Sequence, residues 1–345
     1  MSRRLIIGVD DDGRRLDRIL RKCHGDLPLS AIHRLLRTGR VRVDGKKALA
    51  ADRLKAGSVL ELPELEGLGP AIRNRGPHSA VPPVDPPIGV EGSGPLDVVW
   101  EGNGLLVLSK PAGLLVHGPR SLEDRVTAYL AGKLAPSLSF RPGPLHRLDR
   151  GTSGLVAFST SLDGARRFSE ALRARLLRKR YIALLDGEVR SAERWEDDLV
   201  RDRGDRGDRK TAIAQDRDSA GGDGEGAGAQ SALTSVVPLA RAGAYTLALV
   251  EIGTGRTHQI RAQAAAHAHP LAGDKKYGGS ALGRGFLLHA YELASPPEAA
   301  LPLPPVLVAP PPAPFLRTIE RRFGTAVAEM LASGLPTDSI LDAIM

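Results

Sequence analysis

The chain holds one cysteine, Cys23, among 345 residues, so it can form no disulfide within itself and no cysteine-rich zinc site. That scarcity fits a reducing compartment, and the expected location is cytoplasmic. Also missing is any uninterrupted apolar run of the roughly 20 residues that spanning a bilayer requires. The opening Met1-Ser2-Arg3-Arg4 leads into a mixed polar stretch without the apolar core of a secretory signal. No membrane association is expected. Acid is in deficit, with 40 Asp plus Glu against 48 Lys plus Arg, giving a net charge of +8 and a pI near 9.8. An excess of this kind favours a polyanionic partner where the positive charge is concentrated. The length suggests roughly two domains, large enough to bury a core without disulfide or metal staples.

Residues 1–75 read as a small α/β unit. Leu16, Ile19 and Leu20 fall at helical spacing between Arg15 and His24, and Ser30 is placed to cap a second helix with apolar face Ile32, Leu35 and Leu36. Gly39 closes that helix. Val41-Arg42-Val43 reads as a strand, Asp44-Gly45 as a hairpin turn, and Val59 to Leu62 as a returning strand. Arg34, Arg37, Arg40, Arg42, Lys46 and Lys47 gather on the second helix and hairpin, where they could track a phosphate backbone or form an ordinary solvated face. Residues 76–97 are a Pro/Gly-rich linker, expected to let the small unit reposition. Beyond it, strand-like and helical runs alternate over 98–316. A helix is expected from about Asp163 to Lys179, with Arg173, Arg175, Arg178, Lys179 and Arg180 in its last turns offered to RNA. Residues 201–231 are charged or small without apolar period and read as a mobile insertion. Residues 317–345 read as a helical tail with Ala326, Met330 and Leu331 on one face.

The segment His146-Arg147-Leu148-Asp149-Arg150-Gly151-Thr152-Ser153-Gly154 sets one acid between basic residues and closes on a turn-forming Thr-Ser-Gly. Leu155-Val156-Ala157-Phe158 follows as a buried strand, so Asp149 stands at the edge of a rigid element. An aspartate held this way is expected to stay ionised, as a nucleophile must. Its alternative fate is a structural ion pair with Arg147 or Arg150. Three further strings accompany it: Leu105 to Gly113, Lys179-Arg180-Tyr181 running to Gly187, and Gly253-Thr254-Gly255-Arg256-Thr257-His258-Gln259-Ile260-Arg261 continuing through His269-Pro270 to Asp274 and Tyr277-Gly278.

In this order, and over most of residues 14–316, these strings resemble the RluA family of pseudouridine synthases. The pattern of residues 14–62 resembles the alpha-L RNA-binding motif. The resemblance implies an α/β (α+β) fold, with a central mixed, mainly antiparallel sheet and a small N-terminal RNA-binding domain. It implies isomerisation of specific uridines to pseudouridine, with 23S large-subunit rRNA the first substrate and tRNA the second. A non-catalytic RNA-binding ribosome-assembly factor is the reading from another class; an aspartate-dependent hydrolase would need a second acid or a metal site that the sequence does not offer. Catalysis then falls to Asp149, to Tyr181 stacking on the uracil, and to Arg261 pairing with Asp149. RNA contacts fall to Arg147, which would fill the place of the extruded nucleotide, to Arg34, Arg37, Arg40, Arg42 and Lys46, and to Arg256 and His258, which could instead brace their loop.

The reaction breaks the bond from uracil nitrogen 1 to the sugar, turns the base and rejoins it through carbon 5. No redox step, cofactor or metal is required. His258, His267 and His269 lack the paired spacing and nearby acid of a zinc helix, so no metal is assigned to them. Where the family carries a glycine before His-Pro, this chain has Ala268, which leaves the local backbone path open. The resemblance makes a monomer the default.

Overall fold

The computed structural model of the protein describes residues 2–23, 27–63, 95–134, 137–203, 209–214, 228–283 and 285–342. The proposed linker 76–97 lies almost wholly outside them, as does much of 201–231.

The N-terminal unit carries β1 (Ser2–Ile6), α1 (Leu16–Cys23), α2 (Leu29–Arg37), β2 (Arg42–Val43), β3 (Lys46–Lys47) and β4 (Val59–Pro63). Its strands form a four-stranded sheet in the order β1-β4-β2-β3. The helical periodicity read from the sequence marks its core: Leu16, Ile19, Leu20, Ile32 and Leu36 are buried together with Leu60 and Leu62. Asp44 and Gly45 both take positive φ, 50° and 74°, the geometry of a two-residue hairpin turn that suits strand twist. Ser30 is not the cap of α2; Pro28 occupies that position and Ser30 lies within the first turn. Strand β1 escaped the sequence reading, because Arg3 and Arg4 break its apolar pattern; only its pairing with β4 defines it.

The second unit is built on β5 (Val98–Gly102), β6 (Leu105–Lys110), α3 (Leu122–Leu130), β7 (Gly143–Pro144), β8 (Ser153–Ser159), α4 (Leu162–Arg173), β9 (Arg178–Asp186), β10 (Glu193–Arg203), β11 (Arg209–Ile213), β12 (Gln230–Ala242), β13 (Tyr245–Ile252), α5 (Gln259–Ala266), β14 (Leu288–Ala294) and β15 (Val306–Val308). Its 11-stranded sheet runs β11-β10-β12-β13-β9-β14-β8-β6-β5, with β15 paired to β14 and β7 to β8. Among the described residues only β14 and β8 pair in parallel, so the sheet is mixed and mainly antiparallel. β9 lies at its centre, and its middle stretch, Tyr181 to Leu185, is buried on both faces, which is why that stretch is apolar. Alternation sends Tyr181, Ala183 and Leu185 to the face covered by α3 and α5, and Ile182 and Leu184 to the other.

That other face is closed by the tail. Helices α6 (Ala313–Phe323), α7 (Thr325–Ser333) and α8 (Thr337–Asp342) bury Phe315, Ile319, Leu331, Leu335 and Leu341 against β9, β13 and Tyr291. Ala326, expected on the packed face, is exposed; Val327 and Ala328 pack instead.

One expectation is corrected here. The helix that was to reach Lys179 stops at Arg173, and Arg178 to Arg180 open β9. Arg180 is therefore no RNA contact: it is fully buried and donates to Glu251 at 2.7 Å, to Glu292 and to Asp338. The described parts of 201–231 are largely strand, with β11 paired to the end of β10. The N-terminal unit meets the second unit through two carboxylates. The buried Asp11 carboxylate accepts from Leu138 N–H at 2.7 Å, Ser139 N–H at 3.0 Å and the Ser137 hydroxyl at 3.1 Å, while Leu138 packs into the N-terminal core. Asp10 accepts from Leu162 N–H at 2.7 Å, at the start of α4.

Candidate active site

Asp149 stands in the turn that leads into β8. The turn closes by Thr152 N–H donating to Asp149 O at 3.1 Å. Upstream, His146 Nε2 accepts from Ala157 N–H at 3.0 Å, so the ring must be neutral there; burial pulls its pKa down to about 3. Downstream, the Ser153 hydroxyl meets His289 Nδ1 at 2.8 Å, and His289 Nε2 lies 2.8 Å from Ala309 O. A carbonyl can only accept, so Nε2 carries the proton and Nδ1 accepts from Ser153. Two positions require glycine. A Cβ on Gly151 would lie 2.9 Å from the Phe286 ring, and one on Gly154, at φ 105°, would collide with the Ala290 carbonyl of β14. The Thr-Ser-Gly string is thus the crossing of β8 and β14 at closest approach.

Neither flanking arginine pairs with the acid. Arg150 donates to Gly113 O at 2.9 Å, and Arg147 is exposed with no ion-pair partner among the described residues. The partner of Asp149 is Arg261, whose Nη1 donates to Oδ2 at 3.1 Å. Arg261 projects from α5, a helix buried over most of its length, and its other donors engage Asp274 in a fork, Nε at 2.6 Å and Nη2 at 2.8 Å. The guanidinium also stacks near two rings, 4.5 Å from the Phe286 centroid and 5.0 Å from that of Tyr277. A lysine has one charged centre and no plane, and could not meet all of these partners.

Tyr181 is buried beside Asp149, on the face of β9 opposite Arg180. Burial, and secondarily the Asp149 charge, push its phenol above the usual range, so at neutral pH it keeps its proton. It can present a flat face and donate a hydrogen bond, but it is poorly suited to removing a proton. His258 Nε2 lies 3.8 Å from Asp149 Oδ1. Arg256 braces its own loop, Nε donating to Ser231 O at 3.2 Å and its N–H to Gln259 Oε1 at 3.0 Å. The N-terminal cations Arg34, Arg37, Arg40, Arg42 and Lys46 are all exposed, on α2, the turn after it and the β2–β3 hairpin of the N-terminal unit. His267 goes to Asp197 and the Trp195 ring and His269 to Asp186 O, so the three histidines serve different partners.

Lys110, Asp274, Tyr277 and Phe286 also shape the site and were not singled out from sequence. The Lys110 ammonium is buried and donates to Pro111 O and Leu114 O, both at 2.9 Å, and to Arg150 O at 3.3 Å, tying the residue after Asp149 to β6. Burial lowers it to about 7 against the opposing pull of Asp149. A lysine ending an apolar strand run, as in Leu105-Leu106-Val107-Leu108-Ser109-Lys110, was the available signal. Ala268 shows why the family has glycine there: it takes φ 64° just past α5, with its N–H on Ala265 O at 3.2 Å and His269 N–H on Ala264 O at 2.8 Å, a Schellman cap.

Against this geometry stand the known proteins. Residues 104–266 match the family described as RNA pseudouridylate synthase. Over 273 residues the chain is 30% identical to ribosomal large subunit pseudouridine synthase C of Salmonella typhimurium and to that of Escherichia coli, covering 79% of this chain and 78% of each relative. The Vibrio vulnificus protein of that name is 30% identical over 278 residues. Among solved structures, human RNA pseudouridylate synthase domain containing 1 superposes with a TM-score of 0.53 at 23% identity, covering 72% of this chain and 94% of that one; the likeness concerns the fold.

Proposed function

This chain belongs to the RNA pseudouridylate synthase family, and on that premise we propose that it isomerises specific uridines of large-subunit ribosomal RNA, with Asp149 as the carboxylate that acts on the target nucleotide. The observation that carries the assignment is the setting of Asp149: one oxygen held at 3.1 Å by an arginine that is itself locked by Asp274, with Tyr181 alongside. A preorganised acid of this kind loses little freedom on reaction. It can attack the sugar or the base, or assist elimination; each route begins from the same anchored carboxylate.

The target base must leave the RNA stack before carbon 5 or the glycosidic bond can be reached. Tyr181 offers the face on which a detached uracil rests while it turns, and its retained proton lets it donate to the base. Arg147, exposed and unpaired among the described residues, is placed two positions from Asp149 to enter the gap left by the extruded nucleotide. Arg34, Arg37, Arg40, Arg42 and Lys46 on α2 and the β2–β3 hairpin supply a phosphate-tracking surface, and Arg256 and His258 add polar groups beside the site. The curated relatives are named for the ribosomal large subunit, which supports rRNA over tRNA. Residues 1–75 serve as the RNA handle and 98–316 as the catalytic domain, to which the tail helices add a structural layer.

The test is tritium release from ribosomal RNA labelled at uridine carbon 5. Wild type is expected to release tritium, and Asp149→Ala to bind the RNA without releasing any. Ordinary turnover by Asp149→Ala would end this assignment of the carboxylate, and no release by wild type from rRNA or tRNA would end the proposed activity.

A further inference from the structure

Strand β11 reaches the reaction centre through its backbone. It is the edge of the large sheet, and its ladder bonds go to β10. The Thr211 N–H instead donates to the Tyr277 hydroxyl oxygen at 3.0 Å. The same hydroxyl lies 2.9 Å from His258 Nδ1, and His258 Nε2 faces Asp149 Oδ1 at 3.8 Å.

Proton placement follows from these partners. With its oxygen already accepting from Thr211, the Tyr277 hydroxyl has one hydrogen to give, and Nδ1 is the acceptor within reach. A neutral imidazole that accepts at Nδ1 carries its proton on Nε2, the nitrogen turned toward the carboxylate. His258 is held neutral chiefly by burial, helped by Arg261 and Lys276 and opposed by Asp149 and Asp274. Its backbone takes a left-handed φ of 54°, a conformation a non-glycine residue keeps only where its surroundings enforce it. Tyr277 packs edge-on against the imidazole, with centroids 5.8 Å apart. The exposed Lys210, its ammonium 5.2 Å from the centre of the Tyr277 ring, carries the chain to the surface.

We infer that Tyr277 and His258 are positioning residues for Asp149 and that the edge strand β11 sets them, fixing the imidazole tautomer that turns an N–H toward the second carboxylate oxygen. Arg261 holds one oxygen and His258 faces the other, so both sides of the carboxylate are addressed. The inference rests on the reading of Asp149 given above, and it adds a part of the chain whose sequence has neither apolar period nor any of the motifs that mark the site.

Tyr277→Phe keeps the ring against His258 and Arg261 and removes only the hydroxyl. Its kcat on rRNA is expected to fall about tenfold, as for the loss of one buried hydrogen bond that acts in the transition state, with KM held within about twofold. The pH profile supplies a readout that mere loosening would not move. A donor to Nδ1 favours the neutral ring, so without it His258 takes up a proton at higher pH, and the acid limb of kcat/KM is expected to rise by about half a unit to one unit. Thr211→Pro removes the outward N–H of an edge strand without cutting a ladder bond, together with the hydroxyl that donates to Thr257 O at 3.0 Å, and is expected to move the limb the same way, whereas Thr211→Val, which loses the hydroxyl alone, is expected to move it less. A Tyr277→Phe enzyme matching wild type in kcat and acid limb overturns the inference. If that variant fails to fold, an unmoved limb in Thr211→Pro does so. Wild type measured alongside separates the two failures, since loss of its own activity would strike the proposed function and not only this refinement.

Discussion

Asp274→Asn isolates what the buried fork contributes, because Asp274 is enclosed and its carboxylate meets Arg261 and not the target nucleotide. It accepts from Arg261 Nε at 2.6 Å and Nη2 at 2.8 Å, which leaves Nη1 for Asp149 at 3.1 Å. Asparagine keeps the shape but replaces one acceptor with an NH₂ group that meets a guanidinium donor head-on. Breaking a buried pair by removing one partner destabilises by about 3–5 kcal/mol. Asp149 still balances part of the guanidinium charge, so the expected loss lies at the lower end, about 3 kcal/mol. In the site, a guanidinium released from Asp274 can turn a second donor onto Asp149 and hold the carboxylate in its ground state. One added charge-assisted hydrogen bond is worth about 1.5–3 kcal/mol, or roughly ten- to a hundredfold in kcat. KM should hardly change. Urea unfolding and tritium release on the same preparation measure both effects. A variant destabilised as expected that still turns over at the wild-type kcat would refute the claim that Asp274 aims Arg261.

Three other outcomes follow from the packing. Arg180→Ala strands Glu292, which is buried, and should lower unfolding free energy by about 3–5 kcal/mol, whereas Asp338→Asn, at a position 60% exposed, should change it by less than about 1 kcal/mol; equal effects would mean that burial does not govern this network. Ala268→Gly relieves a left-handed alanine and should stabilise by about 1 kcal/mol in the same urea assay, an unchanged midpoint counting against strain at the cap. His146 and His289 are lowered to about 3 and about 4 by burial, so between those values and the unfolded pKa only the unfolded chain takes up their protons. Their contribution is complete above the ordinary histidine pKa of about 6.5 and is lost as pH falls, by about 2 kcal/mol each at pH 5; a chain in which His146→Asn and His289→Asn together leave the pH dependence of unfolding between pH 7 and 5 as steep as before would show that these imidazoles are not its source.

Much of the site was legible because its parts sit within short strings whose local geometry depends on nearby residues. Strand and helix period set Asp149 before Thr-Ser-Gly, Tyr181 on an apolar strand and Arg261 on the helix after a glycine turn, while their joint role came from the resemblance to the RluA family. Asp274 and Tyr277 lay in a quoted string but had no role, since nothing local says that one will fork Arg261 and the other will bridge β11 to His258. Arg180 was misread for the same reason: beside Lys179 and Arg178 it looks like surface charge, and only Glu251 and Glu292 on the neighbouring strands turn it inward.

What the sequence by itself determined is everything set by near neighbours: the Asp44-Gly45 hairpin, the apolar stretch of β9 after Arg180, and the acid at the mouth of β8. What only the tertiary structure decided is which distant partner each of these meets. The tail lies over the back of the sheet, Asp11 clasps residues 137–139, β11 joins the edge, and Arg261 bridges two acids from separate segments. Backbone period and turn chemistry are written within a few residues, while the satisfaction of a buried charge can depend on groups 112 positions away, as for Arg261 with Asp149 and Arg180 with Glu292, and no local pattern records where those will come to rest.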